Sequence, residues 1–184
     1  MGFKQAAILA PVSFFLGVLF ICFNVDHRLL WGEVNEDVIT DGFQFYTTFF
    51  NAPPAIKALL HGMVGVGLIG FLSKLHKWDE SAMFFDGSSL AAYVFAIVVY
   101  LTVTINSLRT IVNPIHDVDT REDQVVAMRV LSAGNVIIIL ALVLILILQG
   151  GQEWAYRTEA RAVAEWEEVQ RKKGTTTAAE KKDQ

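Results

Sequence analysis

From Ala6 to Phe23 the chain carries no charged residue, and three further long apolar stretches follow it: Ala55 to Leu72, Ser88 to Leu108 and Val126 to Gln149. About twenty predominantly apolar residues cross the hydrocarbon of a bilayer as a helix. In that medium every backbone polar group needs an internal partner, so a chain patterned this way folds as membrane-spanning helices. Hydrophobic residues make up 53% of the 184, and the mean hydropathy is +0.43, well above a soluble domain. The expected fold class is all-α: a polytopic membrane protein of four spans, with a short lumenal amphipathic helix and a cytosolic C-terminal helix.

Local signals set the boundaries. Lys4 precedes the first span in the manner of a signal peptide, but "LFICFNVDHR" offers no A-x-A cleavage site, so the span is read as retained. Pro53-Pro54 suits the start of the second span, which is the shortest fit to the bilayer. The third ends before Pro114 and the fourth at Gly150-Gly151. Between the first two spans, mixed polar and apolar residues and a crowd of aromatics predict an amphipathic helix near residues 35–50, at the membrane surface. A plain interfacial aromatic belt is an equal reading of the same residues. The predicted organisation is a four-span domain over 1–151 and a charged tail over 152–184, helical to about 173 and disordered beyond.

Orientation follows from local Lys and Arg rather than from the net charge of -4. Lys4, Lys74, Lys77 and seven basic residues of the tail fall on one side of a four-span arrangement. Arg28, Lys57, Arg109, Arg121 and Arg129 fall on the other. The bias places both termini in the cytosol, and with them Lys181 and Lys182, third and fourth from the end of the sequence. A cytosolic K-K-x-x terminus is an address that returns proteins to the endoplasmic reticulum; a solvated lysine-rich end is the alternative.

Chemistry is sparse. The interiors of the spans read as almost free of ionisable groups, which disfavours a carrier. Cys22 stands alone in an apolar run and supports neither an intrachain disulfide nor a cysteine metal site. His116, Asp117, Asp119 and Asp123 match no zinc spacing and read as a solvated acidic turn. No phosphate loop, nucleophile elbow or H-x4-D site occurs, so the expectation is a protein that is not an enzyme and uses no metal or other cofactor. Nucleic acid is not an expected partner; membrane lipids are.

Packing and polar recognition remain. Gly62, Gly65, Gly67 and Gly70 occupy one helix, spread over more than half its circumference. Such a helix lets backbones approach from two sides, and its own neighbours taking both sides is an equal reading. Ser88, Ser89, Thr102, Thr104 and Asn106 recur in the third span, with Ser132 and Asn135 in the fourth. An unpaired amide in hydrocarbon is costly, so Asn135 calls for a partner, inside the chain or on a second protein. Gly62, Gly65, Gly67, Gly70, Asn106 and Asn135 are the candidate helix-contact residues.

"SFFLGVLF" in the first span, "GVGLIG" in the second, "MFFDGSSLAAYVFAIVVYLTVTI" in the third, and "SAGNVIIIL" leading to "ILQGG" in the fourth resemble the fungal packaging chaperones for amino acid permeases. The resemblance covers roughly residues 10–150. It implies a non-enzymatic chaperone of the endoplasmic reticulum membrane that holds newly inserted permease helices and assists their packaging into coat protein complex II vesicles. Amino acid permeases and, through the tail, vesicle coat components are the partners it implies. An accessory subunit of a stable transporter or lipid-modifying complex is the alternative, and it would copurify with its mature partner.

Overall fold

The structure, a computed structural model, describes residues 3–75 and 80–180, with side chains described over 3–75 and 83–172. Lys181 and Lys182 lie outside the described residues. The elements are α1 (Phe3–Trp31), α2 (Glu36–Phe50), α3 (Pro54–Leu75), α4 (Glu80–Val99), a π-helical turn (Tyr100–Thr104), α5 (Ile105–Val112) and α6 (Arg121–Glu180). Four helices are long and apolar enough to cross a membrane: α1, α3, the continuous stretch Met83–Val112, and α6. The fold is all-helical, as the pattern of apolar runs predicts.

Capping chemistry explains the boundaries. Asn35 starts α2 by accepting the Val38 N–H at 2.9 Å, and Glu36 and Asp37 complement the first turn's dipole. At the start of α6 a capping box closes: the Asp123 N–H donates to Thr120 Oγ1 at 3.2 Å, and the Thr120 N–H donates back to Asp123 Oδ2 at 2.9 Å. The acidic loop thus spends Asp123 on a helix start and Asp119 on the Ile115 N–H, 2.7 Å away. Pro54 sits at the first position of α3, where no N–H is needed.

Two boundaries differ from the sequence expectation. The first span does not stop at Phe23; α1 continues to Trp31 because its inward face continues through Cys22, Asp26 and Leu29. Nor does Gly150-Gly151 break the helix: α6 runs through both to Glu180. Glycine costs a helix only about 1 kcal/mol, and the neighbouring Gln149 and Gln152 are buried and bonded on the same face.

The spans pack as a bundle with α6 at its centre, against α1, α4, the π turn and α5. The predicted amphipathic helix is α2, but it is packed into the bundle rather than lying free at a surface. It lies across the far end of α1, burying Val38, Ile39 and Tyr46 against Leu29, Leu108 and Met128. Gly42 allows this approach, since a side chain there would run into Met128. Arg28 binds Asp41 at 2.8 Å and Arg121 covers the Phe43 ring at 4.1 Å, fastening α2 from both flanks.

Candidate functional site

α3 is the peripheral span. Its backbone packs on α1 and α4, while its Lys74 and His61 side chains reach α6 and the π turn. Its buried residues, Gly67, Gly70 and Phe71, all lie in its second half. There Gly67 takes the Tyr93 ring of α4, and a Cβ at Gly70 would meet the Ala7 carbonyl oxygen of α1 at 3.0 Å. The first half leaves the bundle: residues 53–59 are exposed, and nothing lies within 4 Å of where a side chain would grow from Gly62 or Gly65. The four glycines therefore divide, two spent on internal packing and two left open.

Each end of the bundle contains a buried polar cluster. At the end where α3 is docked, Lys74 reaches inward to Asp86, which is 2% exposed, with Nζ 2.7 Å from Oδ1. The same ammonium donates to Gln149 Oε1 at 2.7 Å and to Gln152 Oε1, so its three protons have three acceptors. The two amides return the bonds: Gln149 Nε2 donates to Asp86 Oδ1 at 3.2 Å and Ser89 Oγ at 3.1 Å, and Gln152 Nε2 donates to Asp86 Oδ2 at 2.9 Å. Every charge is paired and bonded, the condition on which a buried ion pair is tolerated. Lys4 adds a bond from α1 to the Ser73 carbonyl at 2.8 Å.

At the α2 end the cluster joins α1, α2 and α6. Asp26, fully buried, accepts the Tyr46 hydroxyl at one oxygen and Asn135 Nδ2 at the other, 2.9 Å away. Burial first, and then the Asp26 charge, hold the Tyr46 phenol above its usual range, so it remains a donor. Asn135 thus finds its partner inside the chain. Asn106 is exposed and donates to the Thr102 carbonyl of its own helix at 2.7 Å, so nothing in the fold depends on it.

Asp26, Lys74 and Asp86 overturn the reading of nearly uncharged span interiors. Hydropathy placed Asp26 in a loop and started the third span after Asp86. Helical phase was the available signal: Cys22, Asp26 and Leu29 continue one face, and Gln149 and Gln152 stand three residues apart on another.

Between the open half of α3 and the rest of the bundle lies a mainly apolar cleft. It is lined by apolar side chains that include Phe15, Ala96, Ile97 and Leu142, and by Tyr46, His61, Tyr100, Thr104 and Asn135. The arrangement offers intramembrane surface and a recess rather than a reacting group. Among the described residues, no three His, Cys, Asp or Glu side chains gather to hold a metal ion.

A family profile described as "ER membrane protein SH3", that of the SHR3 chaperones, matches residues 1–184. The chain belongs to this family. No curated protein and no solved structure matches it. SHR3-family proteins are endoplasmic reticulum membrane chaperones for packaging amino acid permeases into coat protein complex II vesicles, and this chain shares that role. The family role is non-enzymatic, in keeping with a site made of packing surfaces. The accessory-subunit alternative is not favoured.

Proposed function

We propose that the undocked half of α3 is the surface on which this chaperone receives newly inserted permease helices. The observation that carries this is the division of the α3 glycines. Gly67 and Gly70 are filled by Tyr93 and α1, whereas Gly62 and Gly65 face open space beside exposed Ile56, Leu59 and Val66. In lipid no hydrophobic drive brings helices together, so close backbone approach at small residues supplies much of the contact. A held permease segment is kept from aggregating and leaves when its own helices replace the contact.

Both termini face the cytosol in this reading, supported by the Lys and Arg bias. The tail beyond Gln152 meets the vesicle coat, and Lys181-Lys182 serves retrieval from the Golgi. A glycosylation acceptor inserted after Asp119 is then modified and one after Lys173 is not; the reverse pattern refutes the orientation. Replacing both terminal lysines by Ser releases protein to the Golgi, and unchanged location refutes the address.

Gly65→Leu tests the client surface. The variant accumulates to the normal level, yet permeases aggregate in the endoplasmic reticulum and amino acid uptake falls, while unrelated plasma-membrane proteins travel normally. Full uptake with soluble permeases in Gly65→Leu and Gly62→Leu removes the open half of α3 from client binding.

A further inference from the structure

The cleft has one unsatisfied polar group. Among the described residues, Thr104 Oγ1 is the buried side-chain polar atom with no hydrogen-bond partner, on a residue only 8% exposed. Buried hydroxyls are almost always paired, because leaving one unpaired in an apolar setting costs free energy. A helical threonine usually bonds the carbonyl four residues back, as Thr102 does to Val98 at 2.7 Å. For Thr104 that carbonyl belongs to Tyr100, which the π-helical turn instead pairs with the Ile105 N–H. At this turn the Thr104 hydroxyl is left without a partner, and Tyr100 and Thr104 both line the cleft. π-bulges of this kind are frequent at functional sites.

The other polar groups of the cleft are engaged. Tyr46 and Asn135 serve Asp26, and the Tyr93 hydroxyl donates to the Val64 carbonyl at 3.2 Å. His61 Nδ1 donates to the Lys57 carbonyl at 2.7 Å, which leaves Nε2 as the acceptor facing the Tyr100 hydroxyl at 3.4 Å. No Asp, Glu, Lys or Arg lines the cleft, so a phosphate headgroup would find no counter-charge. Beyond Tyr46, His61, Tyr93, Tyr100, Thr104 and Asn135 the lining is apolar, as suits a lipid with a small neutral head. Five phenyl and phenol rings, those of Phe15, Tyr46, Phe49, Tyr93 and Tyr100, give it flat walls.

We propose that this cleft binds a membrane sterol, with the sterol hydroxyl paired to Thr104 Oγ1 and the fused rings lying between α1, α3 and α4. The proposal is independent of the client surface, which uses the outward face of α3.

The test uses the purified full chain in detergent and a photoactivatable sterol. Labelling is expected to saturate, to map to peptides of the cleft, and to be displaced by unlabelled sterol but not by phosphatidylcholine or diacylglycerol. Thr104→Val keeps the shape and removes the hydroxyl, and should raise the half-saturating concentration roughly tenfold. Val64→Phe fills the cleft and should abolish labelling; Leu60→Trp, on the undocked half of α3, does the same if Val64→Phe lowers the unfolding temperature. Equal displacement by phosphatidylcholine or diacylglycerol overturns the sterol assignment. Labelling spread over the outer helix faces, or undiminished in a folded cleft-filling variant, overturns the site. An unchanged half-saturating concentration in Thr104→Val overturns the pairing with Thr104. Crosslinks from cleft residues to permeases that sterol does not displace overturn the proposal in favour of a protein occupant.

Discussion

The two halves of α3 are built from the same residue types and do opposite things. The second half carries Gly67 and Gly70 and is locked: a ring and a backbone fill its glycines, and Lys74 pins its end to Asp86, Gln149 and Gln152. The half that carries Gly62 and Gly65 leaves both open, with nothing within 4 Å of where a side chain would grow. The difference teaches that glycine content alone does not fasten a helix in a membrane. The polar cluster, the Tyr93 ring and the Ala7 backbone together fasten α3 towards one end, which leaves the other half open. A helix docked along its whole length would leave neither an open glycine face nor a cleft.

The largest expected effect comes from breaking the lock. Lys74→Met leaves Asp86 buried without its counter-charge, and losing one partner of a buried pair costs about 3–5 kcal/mol. The unfolding temperature in detergent should fall sharply, and the pair Lys74→Met with Asp86→Leu should recover much of it. Equal loss in the double variant would mean that the charge pair is not what holds α3.

A smaller effect separates the two glycine pairs. Gly67→Leu drives a side chain into Tyr93, and overpacking of this kind costs about 1–3 kcal/mol. Gly65→Leu meets open space and should change stability by no more than about 0.5 kcal/mol. Thermal unfolding of the two variants side by side reads the contrast; similar destabilisation would mean that the first half of α3 is packed as well.

The α2 end supplies a local effect of similar or smaller size. Asp26→Leu strands the Tyr46 hydroxyl and the Asn135 amide, at about 1–3 kcal/mol. Hydrogen exchange should rise over residues 36–50 while α3 keeps its protection. Exchange rising in α3 instead would mean that the two ends of the bundle are not separately held.

Much of this was legible in the sequence, because long apolar runs leave a chain few alternatives. Four spans, the amphipathic helix beside the aromatic cluster and the Gly-rich second span all follow from pattern and composition. Asn135's need for a partner was legible, but not that the partner was Asp26, because hydropathy ends a span where charge begins. Hydropathy therefore puts Asp26 and Asp86 in loops, and Lys74 at a flank. Their partners depend on which residues the bundle brings together, some of them far apart in sequence, as Gln149 and Asp86 illustrate. The π turn was not legible at all: "YLTVT" reads as ordinary β-branched helix, and the unpaired Thr104 hydroxyl follows from backbone register alone.

The central claim is that permeases meet the open half of α3. A photocrosslinking residue placed in turn at Leu59, Gly62 and Leu72 tests it most directly, because all three positions are exposed and only the first two lie on the undocked half. Crosslinks to newly made amino acid permeases should form from 59 and 62, fade as the permeases mature, and be weak or absent from 72. Crosslinks of equal yield from all three positions, or from 72 alone, would contradict it.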